Sequence, residues 1–453
     1  ALHGALAVAI ETLDSEKTVE QAPLLAHHYA RSGQPEKAIE FAMRAGEYSG
    51  QMHARAEAAI HYGQALTIAQ EMADSAGAQR GQIDAIVKIA SISGDSRAEV
   101  ERDQKYLPQA ETMARALEDR PRLAQVLYWL GRVHYAHGDK TVAADYAEQS
   151  LATADSLGDE ALAAPPVNLL GRYYSLQGNV SRASELLTRN VEQMRRLGDA
   201  EEATAAGSAG LSFAWKGEFG RALTYLDRSL TLAQQFQNPF AEAAAHFYRG
   251  IFHVQRGAWA KAIDDYNKAI EISETVEDSF RIYLSKSGIG EALVESGHPD
   301  RARQMLEDAV GFAEKVGTGF CLSVAKRSLA SALWVMGEHD RALSVCQEAI
   351  VLGHENDELL FKSRACQLMG SFLRQSDPSA GSQADQLIRE AIAIQKEFGA
   401  EPELARSYLA HAKSLFQQGE PIEAKRYTHQ AREMFVRLGM EWDLLQVDRP
   451  HNQ

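Results

Sequence analysis

The stretch Pro239 to Asp278, PFAEAAAHFYRGIFHVQRGAWAKAIDDYNKAIEISETVED, decides the fold. Phe247, Ile251 and Val254 recur near the 3.6-residue period of an amphipathic helix, and Ile263, Tyr266, Ile270 and Ile272 do so again. Gly257 stands between the two runs. Gly250 in the first and Ala262 and Ala269 in the second are small enough to let a neighbouring backbone approach. The stretch therefore reads as two antiparallel helices and a turn.

The same pattern returns along the chain. Turn glycines fall at Gly138, Gly178, Gly217, Gly257, Gly297 and Gly337, 39 or 40 residues apart. Five residues after each comes an alanine (Ala143, Ala183, Ala222, Ala262, Ala302, Ala342), and seven before each a small residue (Gly131, Gly171, Gly210, Gly250, Gly290, Ala330). A last copy with Ala412, Gly419 and Ala424 is displaced by 82 residues from the Gly337 set, so one copy lies between, its turn altered to RQSDPSAGSQ, Arg374 to Gln383. That turn is expected to be the flexible one. Between units, Gly or Asn in LGD (Leu157 to Asp159 and Leu197 to Asp199), FQNP (from Phe236), VGT (from Val316) and FGAEP (from Phe398) suits a left-handed helix end, and Pro239 or Pro402 then starts the next helix.

The order large apolar, Gly or Ala, aromatic, turn Gly, polar, Ala, aromatic or Leu resembles the tetratricopeptide repeat, in a form of about 40 rather than 34 residues. The resemblance implies an all-α, tetratricopeptide-like α-solenoid, a right-handed superhelix of ten or eleven antiparallel helix pairs. Residues 120–440 would hold eight regular repeats, 1–72 the entry helices and first degenerate repeats, 78–119 an atypical pair with its turn at Gly94 and Asp95, and 441–453 a cap and tail. Pro108 is expected to kink or break its helix.

Ala22 to Leu66, with LAHHY, Gly33, Ala38-Ile39-Glu40, Arg44-Ala45-Gly46-Glu47 and Ala56-Glu57-Ala58 before Tyr62, is similar to the segment joining ATPase core to repeats in bacterial signal-transduction ATPases. The relatives it resembles are those fused to class III adenylate or guanylate cyclases and large transcriptional activators. The likeness implies a C-terminal sensor or docking arm of a longer protein, and the opening ALHGALAV, without Met, agrees with an excised piece.

Composition narrows the function. A formal charge of -15 repels phosphate backbones, which argues against nucleic-acid binding. No apolar run reaches the length of a membrane span and no signal layout is present, so a cytoplasmic, membrane-free protein is expected. Cys321, Cys346 and Cys366 lack CxxC spacing and read as buried free thiols. Phosphate-loop, HExxH, GxSxG and GxGxxG signatures are missing, so neither catalysis nor a cofactor is expected, and the scattered histidines read as packed or solvated rather than metal-bound.

What remains is the concave face, lined by the first helix of each pair. Positions three before and one and four after the small residue should face inward. They include Tyr128, Arg132 and Tyr135, then Asn168 and Arg172, Trp215 beside Ala214, Phe247 and Ile251, Glu291, and Arg327 and Trp334. Arg132 and Arg172 hold equivalent places and would suit a carboxylate or phosphate. The chain thus reads as an interaction or effector-sensing module for a protein or peptide segment, including its own N-terminal domains, or for a small effector. A pure assembly scaffold is the alternative.

Overall fold

A computed structural model describes residues 2–13, 20–52, 54–93, 97–137, 139–198, 201–319, 321–376 and 378–448. Among them are 23 α-helices and no strand, an antiparallel α-solenoid of the tetratricopeptide type. The expected turns at Gly94–Asp95 and Gly138, Asp199 of the second LGD and the tail from Arg449 lie outside the described residues.

The helices fall into two compact units. The first holds α1 (Leu2–Leu13), α2 (Ala22–Arg31), α3 (Pro35–Gln51), α4 (Arg55–Glu71), α5 (Ala76–Ile92), α6 (Arg97–Ala116), α7 (Arg120–His137) and most of α8 (Lys140–Leu157). Its core gathers Leu25, Tyr29, Phe41, Ile83, Leu107 and Val126, with the Tyr29 ring stacked on Phe41 at 5.5 Å. Helix α6 is continuous through Pro108, where one proline withholds a single backbone donor while Leu107 and Ala110 on either side are fully buried.

The second unit takes in Lys140 and Thr141 at the start of α8, resumes at Val167 within α9 (Glu160–Gln177) and runs through α10 (Val180–Leu197), α11 (Glu202–Lys216), α12 (Phe219–Gln235), α13 (Pro239–Gln255), α14 (Trp259–Thr275), α15 (Ser279–Glu295), α16 (Pro299–Val316) and α17 (Leu322–Val335). It continues with α18 (His339–Glu355), α19 (Leu359–Ser376), α20 (Gly381–Phe398), α21 (Glu401–Gln417), α22 (Pro421–Leu438) and α23 (Glu441–Val447). The copy with the altered turn is α19 and α20, joined by a short 3-10 turn at Pro378–Ala380. Arg374 ties this turn down by reaching Ser414 at 3.0 Å and Asp385 at 3.1 Å.

One contact recurs in four pairs of the second unit. The small residue of the first helix receives a bulky side chain sixteen residues later: Leu187 at Gly171, Leu226 at Gly210, Tyr266 at Gly250, Leu306 at Gly290. In the N-terminal third Tyr62 meets Gly46 in the same way, so the regular seam there joins α3 to α4. The turns follow the sequence reading, with Gly257 left-handed at φ +67°. The ends of the second helices partly depart from it. At FQNP the left-handed residue is Gln237, not Asn238, whose side chain instead accepts from the Ala241 N–H and caps α13. A short polar side chain is worth more at the cap, where it satisfies an orphan donor, than one step earlier.

The Tyr266 ring is seated against two glycines. A Cβ on Gly250 would lie 2.5 Å from its ring, and one on Gly288 in α15 would lie 2.3 Å from its other edge. We therefore expect Gly250→Ala to cost about 1–3 kcal/mol in urea denaturation, as overpacking does. In a Tyr266→Leu background the penalty should shrink; an equal loss in both backgrounds would show that the ring is not the obstacle.

Candidate functional site

The second unit winds until late helices return against early ones. At the end of α13, Gln255 donates to Glu403 of α21 at 3.1 Å, and Arg406 of α21 donates back to the Gln255 carbonyl at 2.9 Å. Trp259 meets Trp442 of α23 edge-on at 5.0 Å, and Trp215 meets Phe361 of α19 at 5.8 Å. The Tyr173 hydroxyl donates to Asp357 at 2.9 Å. Beside it Lys140 and Glu358, both fully buried, form an ion pair, and Glu358 also accepts from Ser323 at 2.6 Å.

Gln255, Glu403 and Arg406 belong to a longer chain of charges. Glu291 of α15 pairs with Arg327 of α17 at 2.8 Å and with Arg364 of α19. Arg364 reaches Glu403 at 3.2 Å, Glu403 meets Arg406 at 3.3 Å, and Arg406 holds Asp443 of α23 at 2.8 Å. Burial alone would raise the Glu291 carboxyl, but Arg327 and Arg364 overcome it and bring it down to about 2. Glu403 is likewise held low, by Arg364 and Arg406 against burial. Glu291 and Glu403 are therefore carboxylates at neutral pH, and removing one of their arginine partners would strand a charge in a dry setting.

The inward positions read from sequence have several fates. Glu291 and Arg327 enter the charge chain. Phe247 and Ile251 are half-buried and pack against two core clusters at once. Trp215 is buried against Phe361. Arg172 is half-buried and near enough to Tyr248 and Cys321 to favour the ionised form of each, against the burial that opposes it. The Asn168 amide donates to Asn190 at 3.0 Å. Trp334 is sandwiched between His339 at 4.3 Å and Phe372 at 4.1 Å, a packing role between pairs. In the first unit Tyr128 and Arg132 are half-buried and Tyr135 is buried; the Tyr128 ring leans on Trp129 at 5.0 Å, and the Arg132 Nε is buried with no hydrogen-bond acceptor. Arg364 and Arg406 were missed. They stand six residues before Gly370 and Ala412, on the same helical stripe one turn nearer the N-terminus, so a longer stripe would have found them.

Tetratricopeptide repeat models match residues 102–158 and 209–276. Nothing among curated proteins matches the sequence. Among solved structures, a Rap protein complexed with competence and sporulation factor shares the fold at TM-score 0.61 and 13% identity, over 81% of this chain and 100% of that one. The apo quorum sensor NprR from B. thuringiensis aligns at TM-score 0.48 and 13% identity, over 79% of this chain and 98% of that one. A signal transduction ATPase with numerous domains and a tetratricopeptide repeat sensor, from Pyrococcus horikoshii, aligns at TM-score 0.46 and 12% identity, over 84% of this chain and 56% of that one. The fold is thus a tetratricopeptide-like solenoid.

The charge chain predicts acid sensitivity with a definite sign. The folded Glu291 pKa lies below its ordinary 4.5, so its contribution is complete above about pH 5 and is lost as pH falls toward 2, on the order of 3 kcal/mol in all. Melting temperatures measured from pH 7 to 3 should fall in that window for the native chain, and less steeply for Glu291→Gln. Equal slopes would remove Glu291 from the acid response.

Proposed function

We propose that the chain is a non-catalytic recognition module that takes a peptide segment or small effector on the inner face of its first helices. The observation that carries this reading is the convergence of charged side chains from α15, α17, α19, α21 and α23 on one buried chain, with the half-buried Phe247 and Ile251 as an apolar wall. An incoming segment that carries both a carboxylate and a guanidinium can replace an internal pair without leaving a charge unpaired, while an apolar side chain settles on the wall. Asn168 and Arg172 extend this surface in the second unit; Tyr128, Arg132 and Tyr135 offer an aromatic and basic stripe in the first. Because binding would compete with contacts that hold the winding, occupancy and conformation are linked. The likeness of Ala22 to Leu66 to signalling ATPases suggests that such occupancy is passed to ATPase or nucleotide cyclase domains.

Calorimetric titration with short peptides differing only in charge tests the reading. Binding of an acidic peptide should weaken about tenfold, or 1.4 kcal/mol, in Arg172→Ala and again in Phe247→Ala. Undiminished binding in both variants would place the ligand elsewhere.

A further inference from the structure

The outer grooves between successive second helices are not alike. Between α16 and α18, Arg303 pairs with Glu307 at 3.2 Å and with Glu338, and Arg341 pairs with Glu307 at 2.8 Å and Glu338 at 3.4 Å. Forty residues earlier, between α14 and α16, these four places hold Ile263, Asn267, His298 and Arg301. No ladder can form there. The groove before it, between α12 and α14, again carries charges, with Arg249 lying 3.9 Å from Asp227 and 3.7 Å from Asp265.

The gap is a half-open pocket of about 350 Å³. Ile289 and Leu293, each 3% exposed, form its floor, and Trp259, Ile263 and Met305 its walls. His298 and Arg301 stand exposed at the rim, and among the described residues neither side chain has a hydrogen-bond or ion-pair partner. In the wall the buried indole N–H of Trp259 lacks an acceptor. An apolar hollow ringed by two unanswered basic groups and one buried donor is unusual on a chain of net charge -15.

We infer that this outer pocket is a second docking site, distinct from the inner face, for an acidic peptide segment of a partner protein. One bulky apolar side chain fills the hollow, and an adjacent Asp or Glu carboxylate meets Arg301 and His298. A free fatty acid fits less well, because an open, one-side-chain hollow leaves most of an acyl tail in water, whereas a peptide supplies a short apolar group flanked by carboxylates.

The probe is a fluorescein-labelled peptide, acetyl-Gly-Glu-Leu-Glu-Gly-amide, followed by polarisation at about 0.15 M salt, where distant charges are screened beyond about 8 Å. Ile263→Arg combined with Asn267→Glu and His298→Glu transplants the neighbouring ladder into this groove. It should weaken binding at least tenfold while leaving the melting temperature equal or higher, since the same ladder is already stable one pair further on. Arg301→Glu, a milder change at an exposed position, should weaken binding comparably, as should a peptide with Gln in place of Glu. The assignment is overturned if the ladder variant binds as the native chain does, if the Gln peptide binds equally well, or if octanoate occupies the pocket and the peptide does not.

Discussion

Four helix pairs of the second unit depend on a bulky side chain of the second helix entering the backbone of the first, at a glycine with no side chain to obstruct it. Once Leu187, Leu226, Tyr266 and Leu306 are seated on Gly171, Gly210, Gly250 and Gly290, the distance and angle of each hairpin are set. Successive pairs then have little freedom in how they stack, and small per-pair rotations accumulate. The winding of the second unit is the sum of these local fits.

That winding brings together groups far apart in sequence, and the inner face pairs them. Six charges and Gln255 occupy places that an ordinary core would fill with Leu or Val. Hydrophobic packing of similar volume would often be as stable. What the charged arrangement adds is a set of bonds with defined partners, which close one winding and oppose others. The same bonds are open to exchange with a ligand that brings a counter-charge for each group it separates.

Most of the fold was legible in sequence because the seam is written in residue size at a fixed period. Gly250, Gly257 and Ala262 each do in the structure what their spacing implied. The inner face was legible only in part. Glu291 and Arg327 were read as inward residues and join the charge chain, Arg364 and Arg406 were not read, and Trp334 stacks on Phe372. Their partners, Glu403, Gln255 and Asp443, lie in other pairs, and which pairs meet across the winding depends on accumulated rotation that no single repeat encodes. The outer pocket was invisible for a related reason: Ile263, Asn267 and His298 look ordinary until compared with the ladder forty residues on.

The central claim is that inner-face binding and the closing contacts of the second unit compete. Amide hydrogen exchange, with and without a saturating inner-face peptide, tests it most directly at the C-terminal end of α13 and in α23. Exchange there should change on binding, because Gln255, Arg406 and Asp443 must adjust as the ligand enters. A peptide that binds fully through Arg172 and Phe247 and leaves exchange at both places untouched would contradict the account.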